Sequence, residues 1–268
     1  MTSSYYRFLG TTQDGHERFA SSPATISLWG PDLQHGAPPS ALLVRALQRC
    51  GARSDVRLTR VVVDILGPIP IAELEVRSWI ERPGRRIELV VAELWATTPG
   101  GTARAVARGT GWRMETVDTA DVVHVVDPVL ESREGGDPRL VDESWNVGYL
   151  KTVDWSWLTH IGCEGTGKVW IRPRTDLVEG ETMTPLERLF AIADVANGVG
   201  AKLDLTKWTF LNTDLTVHIS RIPEGEWFGI AAETTTGPDG VGMCAGVLHD
   251  EKGPVGRIAQ TLQIRARP

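Results

Sequence analysis

Residues 184–201 read TPLERLFAIADVANGVGA. Thr184 stands where a helix N-cap belongs, Pro185 suits the first helical position, and Glu187 follows the cap by three residues, the spacing of a capping box. From Leu189 to Ala201 the residues are apolar or small except Asp194 and Asn197, and Asp194 carries the only charge. A helix without a polar face is a buried helix, so the rest of this part of the chain must wrap around it. Asp194 is then conspicuous. A carboxylate removed from water is costly unless it is paired or hydrogen-bonded. Burial favours the neutral form of a carboxyl group and so strengthens it as a general base. The helix end signalled by Asn197-Gly198 adds the negative pole of the helix dipole. Two readings stay open on this segment alone: a structural Asp satisfied by backbone donors, or a base.

Downstream, alternating apolar positions predict strands at 209–219, 227–236, 242–249 and 255–265. Turn signals separate them at Ile222-Pro223-Glu224-Gly225, Gly237-Pro238-Asp239-Gly240 and Lys252-Gly253-Pro254. The same order occurs upstream. HGAPPSALLVRALQRCG (35–51) predicts a largely buried helix, with Pro38 and Pro39 in its first turn and Gly51 at its end. Strands follow at 58–66, 72–81, 86–97 and 103–114, divided by Gly67-Pro68, Pro83-Gly84 and Pro99-Gly100-Gly101. Connections this short rule out a βαβ series, whose crossovers need a dozen residues or more. The expected fold is α+β, with a curved antiparallel sheet wrapped around an apolar helix, twice. The expected division is 1–116 for the first unit, 117–147 for an acidic linker containing Pro and Gly, and 148–268 for the second. The linker's charge is expected only to solvate it.

The chain has 268 residues, enough for two units of this size. Its net charge is −6 with both signs interspersed, which argues against a nucleic-acid surface. No apolar run approaches a membrane span, and the first residues contain no secretory h-region. Cys50, Cys163 and Cys244 are odd in number and far apart, as expected of reduced thiols in a cytoplasmic protein. No spacing suggests a metal site, and no cofactor is expected. Ten tryptophans are many for this length, and core and sheet packing is their expected role, with some free to line an apolar pocket or a subunit contact.

Several motifs, in order, resemble the acyl-CoA thioesterase II family and its thioesterase-like relatives, which are tandem (double) hotdog proteins. They are His35-Gly36 leading into PPSALLVRAL, then LVEGETMTPLERLFAIADVANG, FLNTDLTVHISRIPEGEW and GRIAQTLQIR. The resemblance covers about residues 20–115 and 150–266. It implies hydrolysis of acyl-CoA thioesters by a water held and activated by an Asp, a Thr or Ser, and a Gln. The Asp corresponds to Asp194 and the Gln to Gln260. The hydroxyl residue, counted back two positions from Asp214, corresponds to Asn212, a departure from the family pattern. Strand alternation puts Asn212 on one face with Asp214, Thr216 and His218, and Gln260 with Ile258 and Leu262. Backbone N–H groups at Gly36 and Ala37, at the start of the first helix, are candidates to polarise the thioester carbonyl, since Pro38 and Pro39 have none to give. His35 is a further candidate beside them. Arg82, Arg85, Arg86 and Arg221 are candidates for CoA phosphates, against the default of solvated loop charges. The first helix offers no carboxylate, only Arg45 or Gln48 near the place of Asp194, which suggests one active site per chain. Hotdog relatives often associate, so a homodimer or larger homo-oligomer is expected. Two alternatives remain: a non-catalytic binder of acyl-CoA or a lipid-like ligand, motivated by Asn212, and an enoyl-thioester hydratase or dehydratase, whose Asp/His pair only His35 could complete.

Overall fold

The computed structural model describes residues 4–97, 100–139 and 145–267. The first half contains β1 (Tyr6–Thr11), β2 (Glu17–Ser21), β3 (Ile26–Ser27), β4 (Gly30–Gln34), α1 (Ala37–Arg49), β5 (Val56–Ile65), β6 (Glu73–Arg82), β7 (Ile87–Thr97) and β8 (Ala103–Glu115). The second contains β9 (Val153–Trp157), β10 (Gly167–Pro173), α2 (Pro185–Ala193), α3 (Ala196–Val199), β11 (Trp208–Asn212), β12 (Asp214–Ile219), β13 (Phe228–Thr236), β14 (Val241–Asp250) and β15 (Gly253–Ala266).

The strands form one continuous antiparallel sheet in the order β1-β2-β6-β7-β8-β5-β12-β15-β14-β13-β10-β9, with β11 also paired to β15 and β3-β4 a separate hairpin. The halves join where β5 pairs with β12, Asp64 opposite Asp214 and Val62 opposite Thr216. α1 packs against β5 to β8 and against α2, while α2 and α3 pack on β10 and β13. Every residue of α1 from Ala37 to Leu47 is buried, as its lack of a polar face requires. Gly51, at φ +51°, carries the chain out of the helix in a conformation that favours glycine. The capping box of α2 is formed: the Glu187 N–H donates to Thr184 Oγ1 at 3.2 Å, and the Thr184 N–H donates to Glu187 Oε2 at 3.0 Å.

Two expectations are corrected. The apolar run 184–198 is not one helix. α2 ends at Ala193, Asp194 is its C-cap, and α3 begins at Ala196. The Gln260 side-chain amide donates to the Asp194 carbonyl at 3.2 Å, satisfying an orphan group at the helix end. Nor is 209–219 one strand. Asn212 lies opposite Leu262 and Thr216 opposite Ala259, so β11 and β12 carry one residue more than β15 across that interval. This is a β-bulge. The Thr213 N–H donates to the Thr261 carbonyl at 3.0 Å, and the Thr261 N–H turns to the Asp214 carboxylate at 2.9 Å. The extra residue moves Asn212 off the face of Asp214, Thr216 and His218 and onto the inner side with Leu215 and Val217. β5 has the matching irregularity between Leu58 and Arg60.

The acidic segment between the halves does more than solvate itself. Leu130 is buried, Asp127 pairs with Arg257 at 2.6 Å, Glu131 with Lys168 at 2.5 Å, and Asp137 exchanges two backbone hydrogen bonds with Trp157. Residues 140–144 of that segment, and Pro99 of the expected turn, lie outside the described residues.

Arg45 of α1 ties the layers together. Its buried guanidinium meets Glu17 of β2 at 2.7 Å and Glu181, before α2, at 2.8 Å. Removing one partner of such a pair strands the other charges. Arg45→Ala is therefore expected to destabilise the fold by about 3 kcal/mol, measured by chemical denaturation.

Candidate active site

Where the start of α1 meets the end of α2, a cavity of about 550 Å³ opens. Trp145, Trp155, Trp157 and Phe210 contribute apolar walls, and Trp29 and Arg267 are exposed at the rim. Trp155 and Trp157 stack with centroids 5.4 Å apart and planes 12° from parallel. These tryptophans line a cavity as well as pack the core.

Asp194, His35, Gly36 and Asn212 share one wall. The Asn212 amide donates to Asp194 Oδ1 at 2.7 Å, and Gln260 Nε2 donates to the same oxygen at 3.4 Å. Asn197, from the same apolar run as Asp194, donates to Asn212 Oδ1 at 3.5 Å and so helps orient that amide. Gln260 is buried beneath the carboxylate and does not line the cavity; its Oε1 has no hydrogen-bond partner among the described residues. Both amides are thus spent on the carboxylate, and only Asn212 also reaches the cavity wall.

The other oxygen, Oδ2, lies 3.3 Å from His35 Nδ1. That nitrogen accepts the Ala37 N–H at 3.1 Å, so it carries a lone pair and the neutral ring has its proton on Nε2. The ring stacks on Tyr149 with centroids 4.2 Å apart, and the Tyr149 hydroxyl donates to the Ala191 carbonyl at 2.7 Å. Burial pushes the His35 imidazole below its ordinary range, and the charge of Asp194 opposes that shift less strongly. Burial raises the Tyr149 hydroxyl well above its usual range.

Gly36 is placed for space and not for backbone freedom, since its φ is −67°. A Cβ there would lie 2.5 Å from Asp194 Oδ2 and 2.8 Å from the carboxylate carbon. With the Ala37 N–H committed to His35, the Gly36 N–H is the donor at this turn that has no partner among the described residues.

The four arginines expected to meet CoA are elsewhere, and none lines the cavity. Arg82 donates to the Ile87 carbonyl, Arg85 stands 3.7 Å from Glu115, the Arg86 carbonyl accepts the Glu115 N–H, and Arg221 is paired with Asp250. The cation at the rim is Arg267, whose Nε donates to the Leu205 carbonyl at 2.8 Å and whose guanidinium lies 5.9 Å from the Trp29 ring centroid. No sequence motif singles out Arg267 or Tyr149. Asn197 was signalled by being the second polar residue of its run. Among the described residues no group of three or more side chains could hold a metal ion, and no helix is long and apolar enough to cross a membrane.

Residues 25–114 match the family model of the acyl-CoA thioesterase N-terminal domain, and residues 126–264 that of the acyl-CoA thioesterase C-terminal domain. Among solved structures, a hot dog fold protein of unknown function from Alicyclobacillus acidocaldarius is similar at a TM-score of 0.75 and 15% identity, over 97% of each chain. A candidate thioesterase II from Thermobifida fusca YX gives 0.75 at 18% identity, covering 99% of this chain and 98% of that one. An acyl-CoA thioesterase II from Mycobacterium marinum gives 0.64 at 12% identity, over 97% and 95%. Identities this low show a shared hotdog fold and no more. No curated protein sequence matches the chain.

Gly36→Ala should leave the fold intact and displace the Asp194 carboxylate. Displacements near 1 Å can cost about 100-fold in rate, so a loss of that order in turnover at unchanged near-ultraviolet circular dichroism is expected. Buried His249 and half-buried His35 give a pH dependence. His249, like His35, is pushed down by burial, against the charges of Asp127, Asp250 and Glu131. An unfolded histidine protonates near about 6.5, so below that pH the unfolded chain binds protons the folded chain refuses. The stability contributed is full above that value and is lost as pH falls toward the folded-state values. Melting temperature should therefore drop between roughly pH 7 and pH 5, and His249→Gln should make the drop shallower.

Proposed function

The chain belongs to the acyl-CoA thioesterase family, and on that premise we propose that it hydrolyses acyl-CoA with a water activated by Asp194. The units would be two hotdogs, 1–116 and 148–268, joined by 117–147. Each contributes to a single site: α1 supplies the turn at Gly36, and α2 the carboxylate.

One observation carries the reading. The Asp194 carboxylate takes two side-chain amides, from Asn212 and Gln260, and still opens onto an apolar cavity at a helix N-terminus. The acyl group would lie among the tryptophans, with its carbonyl oxygen toward the Gly36 N–H. Asp194 takes a proton from water as the oxygen attacks the carbonyl carbon, and the negative charge that develops is met by the Gly36 N–H and the positive end of α1. The O–H formed on Oδ2 faces His35 Nδ1, an acceptor kept neutral by burial. Collapse of the tetrahedral intermediate breaks the carbon–sulfur bond, and the proton held by Asp194 passes to the thiolate. Asn212, in place of a hydroxyl residue, positions the base through its N–H₂ group. Arg267 and Trp29 at the rim fit a phosphate and an adenine ring respectively.

Thiol release should be seen from at least one of a short, a medium and a long acyl-CoA. Asp194→Asn should lower kcat by about 10²- to 10⁴-fold with the fold retained. Binding without turnover by the unmodified protein would instead mean a ligand-binding role, and water addition to enoyl-CoA without thiol release would mean a hydratase using His35 with Asp194. Arg267→Ala should raise KM for acyl-CoA and leave KM for the corresponding acyl-pantetheine, which lacks the nucleotide phosphates, unchanged.

A further inference from the structure

A second cavity, of about 240 Å³, lies at the opposite ends of the same two helices. Gln48 from the end of α1 and Pro185 and Leu186 from the start of α2 border it, with Leu58 of β5 and Ile219 of β12. The correspondence with the first cavity is close in placement and reversed in chemistry. Gln48 meets the N-cap of α2, accepting the Thr184 hydroxyl at 2.9 Å, as Asp194 meets the N-cap of α1. Leu58 precedes the bulge of β5 as Asn212 precedes that of β11 and β12. Leu58 pairs with Arg113 and Asn212 with Leu262, and two residues before those partners stand Gly111 and Gln260. A Cβ on Gly111 would lie 2.5 Å from the Leu58 side chain, so the space of the second amide is filled by leucine. No carboxylate lines this cavity, and it has no base for hydrolysis.

Three arginines line it instead: Arg53, Arg57 and Arg113. Arg53 is paired with Asp55 at 2.7 Å, and Arg113 with Glu88 at 3.1 Å. Arg57 is different. It is half-buried and donates only to carbonyls, those of Ser220 at 2.8 Å, Ile219 at 3.2 Å and Leu58 at 3.4 Å. Among the described residues no carboxylate lies within ion-pair distance of it, and burial pushes its guanidinium below the ordinary range. A partly desolvated cation without a counter-charge is a standing cost that an anion would relieve. Val56, Leu58, Leu186, Ile219, Ile222 and Pro223 make the remaining wall apolar. A bare inorganic anion would leave that wall unused, and an uncharged chain would leave Arg57 unpaired.

We propose that this second cavity binds a small aliphatic carboxylic acid, its carboxylate on Arg57 and its chain against Leu58, Leu186 and Ile222. The acid released by thioester hydrolysis is of this class, but the site does not depend on the chain being a hydrolase. Isothermal titration of the full chain with hexanoate, with inorganic phosphate as the tail-less anion, tests it. Arg57→Gln should weaken hexanoate binding about tenfold or more, the usual loss with a hydrogen bond to a charged group. Ile222→Trp, which fills the cavity from its exposed rim, should do the same by a separate route. Both variants should keep the near-ultraviolet circular dichroism and melting temperature of the unmodified chain, showing that they fold. No hexanoate binding by the unmodified chain, binding unchanged in both variants, or phosphate bound as tightly as hexanoate would each overturn the proposal.

Discussion

The approach of a backbone to a carboxylate governs this molecule. Asp194 sits at the negative end of α2, where a second negative charge is disfavoured, and it is buried, which disfavours it again. What makes the position tenable is the pair of amides on Oδ1, from Asn212 and Gln260, together with the start of α1 brought against it. The N-terminus of α1 presents its positive end to the same carboxylate that the end of α2 repels. The contact is close because Gly36 has no side chain. The two helices must therefore pack so that the start of one meets the end of the other, and that arrangement requires the halves to be held in one register. The pairing of β5 with β12 supplies that register, and Arg45 locks the same layers from the far side of α1.

The second constraint is the bulge at Thr213. In an unbroken strand Asn212 would face away from the helix, with Asp214 and His218. One added residue turns it inward, and the cost of the interrupted ladder is met locally, because the Asp214 carboxylate accepts the Thr261 N–H left over. A hydroxyl has a single proton to donate. An amide has two, and Asn212 gives Asp194 Oδ1 one at 2.7 Å and the Asp214 carbonyl another contact at 3.2 Å. The substitution thus fits the role of holding the carboxylate, which asks only for a fixed donor.

The helices, the order of the strands along the chain and the oddity of Asp194 were legible in the sequence because each depends on local pattern: capping residues, alternation, turn residues and one charge in an apolar run; Gln260 and Asn212 were reached only through the family resemblance. The break after Ala193 was not legible. Nothing in LFAIADVANG forbids a longer helix, and the group that ends it, Gln260, comes from a strand far along the chain. The bulge was hidden for the same reason, since FLNTDL alternates acceptably without it. Arg82, Arg85, Arg86 and Arg221 drew attention by lying near turns, yet the turn that does reach the cavity is the one at Gly67 and Pro68. Arg267 has no local signal. It reaches the rim because β15 runs past β11 to the edge of the first cavity.

The two helix ends also differ in what they can hold beside a cavity. Each helix terminus needs donors for its last carbonyls. At the end of α2 the donor is the neutral amide of Gln260. At the end of α1 it is the guanidinium of Arg113, which reaches the carbonyls of Leu47, Cys50 and Gly51 and is itself neutralised by Glu88. A guanidinium is the stronger cap, since it matches the dipole as well as the hydrogen bonds. Beside Asp194 it would also supply an ion-pair partner, which the amide of Gln260 does not. A neutral donor satisfies the helix carbonyl without adding a charge beside the carboxylate. The end of α2 has the weaker cap and a carboxylate open to its cavity; the end of α1 has the stronger cap and a cavity lined by cations.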